Sequence, residues 1–186
     1  MKSRYSRGFT LIELLVVIAI IGLLATFSVV QFANAREKAR DAKRLSEIKQ
    51  IRTALEMYKD RYGAYPNATD GDDASGGYDI GCIGGPSGTD TFISELRTSG
   101  ILQKTICDPR GTTNANSYMY YRYAAGSSGC DVARGAFYVL IIMTLESTTT
   151  PSPTSPGWSC PSRDWSTAGG AGLGYTPAWV TGAFEN

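Results

Sequence analysis

Glu13 is the residue whose type and setting most demand a chemical role. It is a carboxylate at the mouth of an apolar run, Leu14 to Ala35, that carries no charge over 22 residues. An ionisable group inside a membrane helix costs on the order of 2.5–3.5 kcal/mol at mid-depth and generally has a partner. Two readings follow: Glu13 sits among lipid headgroups at the entry end, or it meets a specific partner further in. A second set of candidates is Asp70, Asp72 and Asp73 around Gly71. Closely spaced carboxylates suit a hard cation such as calcium, but the spacing lacks the 12-residue loop and closing Glu of an EF-hand. A solvated acidic turn is the preferred reading, and no cofactor is expected.

Four cysteines, Cys82, Cys107, Cys130 and Cys160, all lie after residue 62, with no histidine anywhere. No Cys-x-x-Cys pair or zinc set is available, and neither Ser-His nor Cys-His catalysis can be built. An even cysteine count in an exported domain reads as two disulfides. Three connectivities are open; Cys82–Cys107 with Cys130–Cys160 is preferred on proximity alone. No phosphate loop or dinucleotide fingerprint occurs. Carboxylate pairs could hydrolyse glycosides, but none stands out. The tyrosines at 118, 120, 121 and 123 read as sheet residues packed on a helix more than as a stacking platform for sugars or bases. An enzyme is not expected.

These residues are carried by one long element. A helix over the uncharged run is roughly 33 Å long, enough for a hydrocarbon core of about 30 Å. Ahead of it stand Lys2, Arg4 and Arg7 without an acid, which places the N-terminus on the cytoplasmic side and the rest outside. A secretory signal peptide is the rival reading, but the apolar run is too long and lacks a clear small-residue cleavage site. Beyond Ala35, apolar residues recur at Leu45, Ile48, Ile51, Leu55, Tyr58 and Tyr62, one face of an amphipathic helix. Gly63 offers a cap and Pro66 forbids continuation. The pattern predicts one helix of 54 residues from Phe9 to Tyr62.

Charge divides in the same way. Residues 1–61 hold 12 Lys/Arg against 6 Asp/Glu, and residues 62–186 hold 6 against 11. The basic half flanks the span, where anionic lipid attracts it, and the acidic half reads as a soluble head. Because the basic residues are mixed with acids along a helix, no nucleic-acid partner is expected.

The basic leader, Gly8, then Phe9-Thr10-Leu11-Ile12-Glu13 and the unbroken apolar helix together resemble the type IV pilin and type II secretion pseudopilin superfamily. The segment Ala39 to Ile51 and the helix end Tyr62-Gly63-Ala64-Tyr65-Pro66 extend the likeness to about residue 66. The resemblance implies cleavage by a prepilin peptidase between Gly8 and Phe9, N-methylation of Phe9, and pairing of Glu13 with the terminal amine of Phe9 on a neighbouring subunit. It also implies further pilin or pseudopilin subunits as homopolymer partners, an assembly platform protein with its ATPase, and membrane lipid before assembly. Val30 stands where many type IV pilins carry a proline, so no proline kink is expected. The lack of that proline and the Tyr-Gly-Ala-Tyr-Pro helix end lean toward a pseudopilin.

The implied fold is α+β and pilin-like: a leader over 1–8, a membrane or filament-core helix over 9–35, its amphipathic half over 36–62, and a head over 63–186 with a small antiparallel sheet and two disulfides. Within the head, residues 67–89 read as a loop, Asp90 caps a short helix from Thr91 to about Ser99, and Ser117–Ala124 and Ala136–Leu145 read as strands. Ser147–Pro156 reads as an extended linker and Trp179–Phe184 as a last strand. The competing function is a tethered exported domain that binds a ligand and does not polymerise.

Overall fold

The structure, a computed structural model, describes residues 9–67, 77–81, 92–110, 118–148, 150–171, 174 and 176–186. The chain divides into two compact units, Met1–Ala39 and Arg40–Asn186. Helix α1, Leu11–Tyr62, runs through both. It begins two residues later than the pattern predicts, because Thr10 is its cap. It ends where the sequence indicates: the Gly63 N–H donates to the Lys59 carbonyl at 2.7 Å, with Gly63 at φ 79°, a conformation glycine adopts without a Cβ penalty.

In the first unit every described side chain from Phe9 to Thr26 is exposed. An 18-residue window of α1 reaches a mean hydropathy of 2.6, so this helix is long and apolar enough to cross a membrane. In the second unit α1 buries a stripe of Ile48, Ile51, Ala54 and Leu55, with Leu45 and Tyr58 partly covered. Tyr62 departs from the predicted stripe. It is 52 % exposed and lies against Tyr58, the two ring centroids 4.4 Å apart.

The stripe packs on a four-stranded antiparallel sheet ordered β1 (Asp79–Ile80), β2 (Tyr118–Tyr123), β3 (Phe137–Ile142), β6 (Trp179–Phe184). Strand alternation sorts the aromatic run. Tyr118 and Tyr120 of β2 and Tyr138, Leu140 and Ile142 of β3 join the α1 stripe in one core. Met119, Phe137, Val139 and Ile141 face the other way, into a second core with Val180 and Trp165. Each fully buried Leu, Ile or Phe contributes about 1.5–3 kcal/mol, so a sheet covered on both faces is the main stabilising feature of the head.

The second face is closed by a two-stranded hairpin, β4 (Ser159–Cys160) and β5 (Arg163–Asp164), followed by a short helix α3 (Ala168–Ala171). The Cys130–Cys160 disulfide ties this tail to the β2–β3 loop. Trp165 is fully buried and its Nε1–H donates to the Tyr123 hydroxyl at 3.0 Å. Neither β4 nor β5 was foreseen, being only two residues each, and β1 lies inside a stretch read as loop.

Helix α2 spans Ser94–Thr98, shorter than predicted. Ile93 precedes it in the left-handed region at φ 44°, an unfavourable conformation for a β-branched residue. Its N–H donates to the buried Asp79 carboxylate at 2.6 Å, which holds the turn. Asp90 lies outside the described residues. Within the stretch read as a linker, Ser152–Ser155 also depart from expectation: they are pinned beside Ala178–Val180 at the start of β6. The Ser152 N–H donates to the Ala178 carbonyl at 2.7 Å, and the Trp179 Nε1–H donates to the Thr154 carbonyl at 3.1 Å.

Candidate functional site

At the N-terminal end of α1, Thr10 and Glu13 form a reciprocal cap. The Glu13 carboxylate accepts from the Thr10 backbone N–H at 2.8 Å and from the Thr10 hydroxyl at 2.7 Å. The Glu13 N–H in turn approaches the Thr10 Oγ1 at 3.3 Å. This is the capping box, a Thr three residues before a Glu, and it satisfies donors that a helix start otherwise leaves unpaired. It also points the carboxylate back along the helix toward its start. Thr10 was not singled out from the sequence, although Thr-x-x-Glu directly before an apolar run is the signal that reveals it.

Phe9, Ile12, Glu13, Val16 and Val17 share one flank of the helix, lining a shallow groove of about 360 Å³. Phe9 is 79 % exposed and Ile12 69 %. The two predicted assembly residues therefore lie together on an apolar surface with nothing from this chain's described residues covering it. A carboxylate so placed can accept a cation from outside, the arrangement in which buried membrane carboxylates are stabilised. Gly8, on the other side of the expected cleavage point, lies outside the described residues.

A second charged centre, absent from the sequence reading, lies at the start of the head unit. Arg44 is fully buried. Its Nε donates to Asp108 at 2.6 Å, and its Nη1 donates to Asp41 and to Glu146 at 2.7 Å each. Arg40 binds the same Glu146 through Nε at 2.8 Å and Nη2 at 2.5 Å, and Arg110 reaches it at 3.2 Å. Asp41 accepts further bonds from the Glu146 and Ser147 N–H groups and the Ser147 hydroxyl, at 2.7 to 3.0 Å. Hydrogen bonds from the Arg40 guanidinium outweigh burial at Glu146 and hold its carboxyl down at about 2. Burial pushes Asp41 up, but the Glu146 and Ser147 donors outweigh it and leave that carboxyl below its ordinary value.

Three cations face three carboxylates, so the cluster is neutral and every group in it has a partner. It is a structural clasp between α1 and the loops at 107–110 and 145–147, with no group left over for catalysis. No local motif could have revealed it, because Asp108 and Glu146 lie 64 and 102 positions from Arg44. Further along α1, Glu47 accepts from the Tyr118 hydroxyl at 2.5 Å and Glu56 from the Tyr65 hydroxyl at 2.8 Å.

Of the predicted disulfides, Cys130–Cys160 is formed. Cys107 is also disulfide-bonded; Cys82, its expected partner, lies outside the described residues. So do the calcium candidates Asp70, Asp72 and Asp73. Among the described residues, no group of three or more His, Cys, Asp or Glu is arranged to hold a metal.

Residues 3–29 match the family model described as the prokaryotic N-terminal methylation motif. The type II secretion system core protein G of Pseudomonas aeruginosa is 34 % identical over 129 residues, covering 69 % of this chain and 81 % of that protein. Its counterpart in Vibrio cholerae is 33 % identical over 119 residues, covering 64 % of this chain and 73 % of the relative. That of Aeromonas hydrophila is 42 % identical over 74 residues, 40 % of this chain and about half of the relative, 52 %. No solved structure matches. The long matches extend well past the methylation motif into the head, in a superfamily of structural subunits and not of enzymes. With its exposed apolar helix, its Thr10–Glu13 cap and its α-on-sheet head, this chain belongs to the type IV pilin and type II secretion pseudopilin superfamily.

Proposed function

We propose that the chain is a filament subunit of a type II secretion-like pseudopilus, the type IV pilus being the alternative filament. It is held in the membrane by the first half of α1 with its head outside, cleaved by a prepilin peptidase between Gly8 and Phe9, and N-methylated at Phe9. A platform protein and its ATPase would then move it from lipid into a helical filament. The observation that carries this reading is the surface of the first unit, where every described side chain from Phe9 to Thr26 is exposed around a single carboxylate. Such a surface is stable only in lipid or against other apolar helices. Glu13, beside Phe9 on one flank, would receive the terminal amine of a neighbouring subunit and so become neutralised when lipid is exchanged for protein. We assign no cofactor; calcium at Asp70, Asp72 and Asp73 remains a sequence-level candidate.

The test is to express the full chain with a prepilin peptidase, measure the mass of its N-terminal peptide, and image filaments. A peptide beginning at Phe9 and heavier by a methyl group, together with filaments, is the expected result. Glu13→Val should leave cleavage largely intact and remove filaments. An unprocessed N-terminus, with the peptidase active on a control substrate, would overturn the proposal and leave a tethered binding domain. Normal filament yield from Glu13→Val would overturn the role given to the carboxylate.

A further inference from the structure

Among the described residues, strand β6 is the last strand of its sheet, and its outer edge faces no further strand. An edge strand of six residues normally offers unpaired N–H and C=O groups to any strand that approaches. Here Ser152–Ser155, within the Ser/Thr/Pro segment, lie beside the start of that edge, and a side chain stands in for a ladder. The Val180 N–H donates to Ser155 Oγ at 2.9 Å, and the same hydroxyl donates to the Val180 carbonyl at 3.3 Å. One serine therefore occupies both backbone groups at that position. Four residues further on the same edge, the Phe184 carbonyl accepts from the Tyr65 hydroxyl at 3.4 Å. Trp158, which follows the strap, packs on the face of the sheet at Gly182, where a Cβ would be 2.5 Å from its ring.

A simple added strand would only move the open edge outward by one position. This segment does not, for two reasons. Pro151, Pro153 and Pro156 have no N–H to donate, and the Ser155 N–H turns inward to the Ser152 carbonyl at 2.9 Å. Among the described residues the opposite edge strand is β1, two residues long and paired with Met119 and Tyr120 of β2, and short edge strands are poor templates.

From this we infer that the Ser/Thr/Pro segment is an edge guard: it keeps heads from joining sheet to sheet, so that contact between subunits is left to the helices and loops. Chains that share a membrane or a filament are held at high local concentration, where an open edge would be a constant route to misassembly. The inference stands apart from the filament reading, since it concerns what the head's sheet is prevented from doing.

The experiment uses the full chain in detergent micelles, in a Glu13→Val background so that filament assembly cannot contribute. Two variants are compared with that parent: Pro153→Thr with Pro156→Thr, which gives the segment two backbone N–H groups that proline denies it, and Ser155→Val, which releases the Val180 groups. Association is followed by light scattering and thioflavin-T fluorescence against concentration, and folding by thermal melting. Regaining two or so ladder bonds should tighten head-to-head association by roughly tenfold or more, with a rise in thioflavin-T signal. Parent-like association in a variant that melts like the parent overturns the inference. If the double proline variant does not fold, Ser155→Val decides between the same two outcomes.

Discussion

The two halves of helix α1 solve opposite problems. From Phe9 to Thr26 the helix exposes every described side chain, and its one carboxylate is served by a hydroxyl and an N–H three residues away. From Arg40 to Tyr62 its charged residues Asp41 and Arg44 are buried, and the acids Asp41, Glu47 and Glu56 are all engaged by groups from elsewhere in the head or from the residues just after the helix. The second half is complete within one chain. The first is complete only in another medium, lipid or a bundle of like helices. Charge that is finished inside the chain serves stability, and charge left on an apolar surface is the charge to which we have given an assembly role.

Substitutions can test that division. The largest loss of head stability is expected from Arg44→Met, which leaves Asp41, Asp108 and Glu146 without their shared cation. Breaking a buried ion cluster from one side costs about 3–5 kcal/mol, read as a lower denaturant midpoint for the head; a wild-type midpoint would show that the clasp is dispensable. Glu13→Val should leave the same midpoint unchanged, and any comparable drop would erase the distinction between the halves. Gly182→Ala, which drives a Cβ into Trp158 and the Tyr138 carbonyl, should cost roughly 1–3 kcal/mol. Acid should act on the second half in particular. Glu146 is held at about 2 against an ordinary 4.5, so its contribution is present above about pH 4.5 and is lost as pH falls toward 2. Asp41 is shifted in the same direction. Thermal melting of the head at pH 7, 4 and 3 should show a declining midpoint, with the decline reduced in Arg44→Met. The smallest effect is expected from Thr10→Ala, about 1 kcal/mol on the first turn of α1, seen as faster amide exchange there and nowhere in the head.

Much of this molecule was legible from local pattern. The span of α1, its end at Gly63 and the strands β2, β3 and β6 all follow from features read over a few residues at a time: periodicity, a glycine cap, and β-branched and aromatic runs; the pairing of Cys130 with Cys160 was one of three open connectivities, preferred on proximity alone. Glu13 was visible for the same reason, as one charge against an apolar background. What local pattern missed falls into two kinds. Thr10 was readable but overlooked, since a Thr-x-x-Glu spacing is a local signal. Ile93 and the two-residue strands were not readable, because their conformations depend on a distant Asp79 or on partners too short to leave a pattern.

The composition of α1 by itself determined that one half needs an apolar environment and the other a single covered face, because hydrophobic burial is written in side-chain type and helical period. Only the tertiary structure decided that Arg44 lies inside and that a Ser/Thr/Pro segment is a bound strap instead of a linker. Both depend on groups brought together across tens to more than a hundred residues, Asp108 and Glu146 around Arg44 and the β6 edge beside Ser155. Desolvated charge and unpaired backbone are costly wherever they occur, and the identity of the group that relieves each cost is set by the path of the chain.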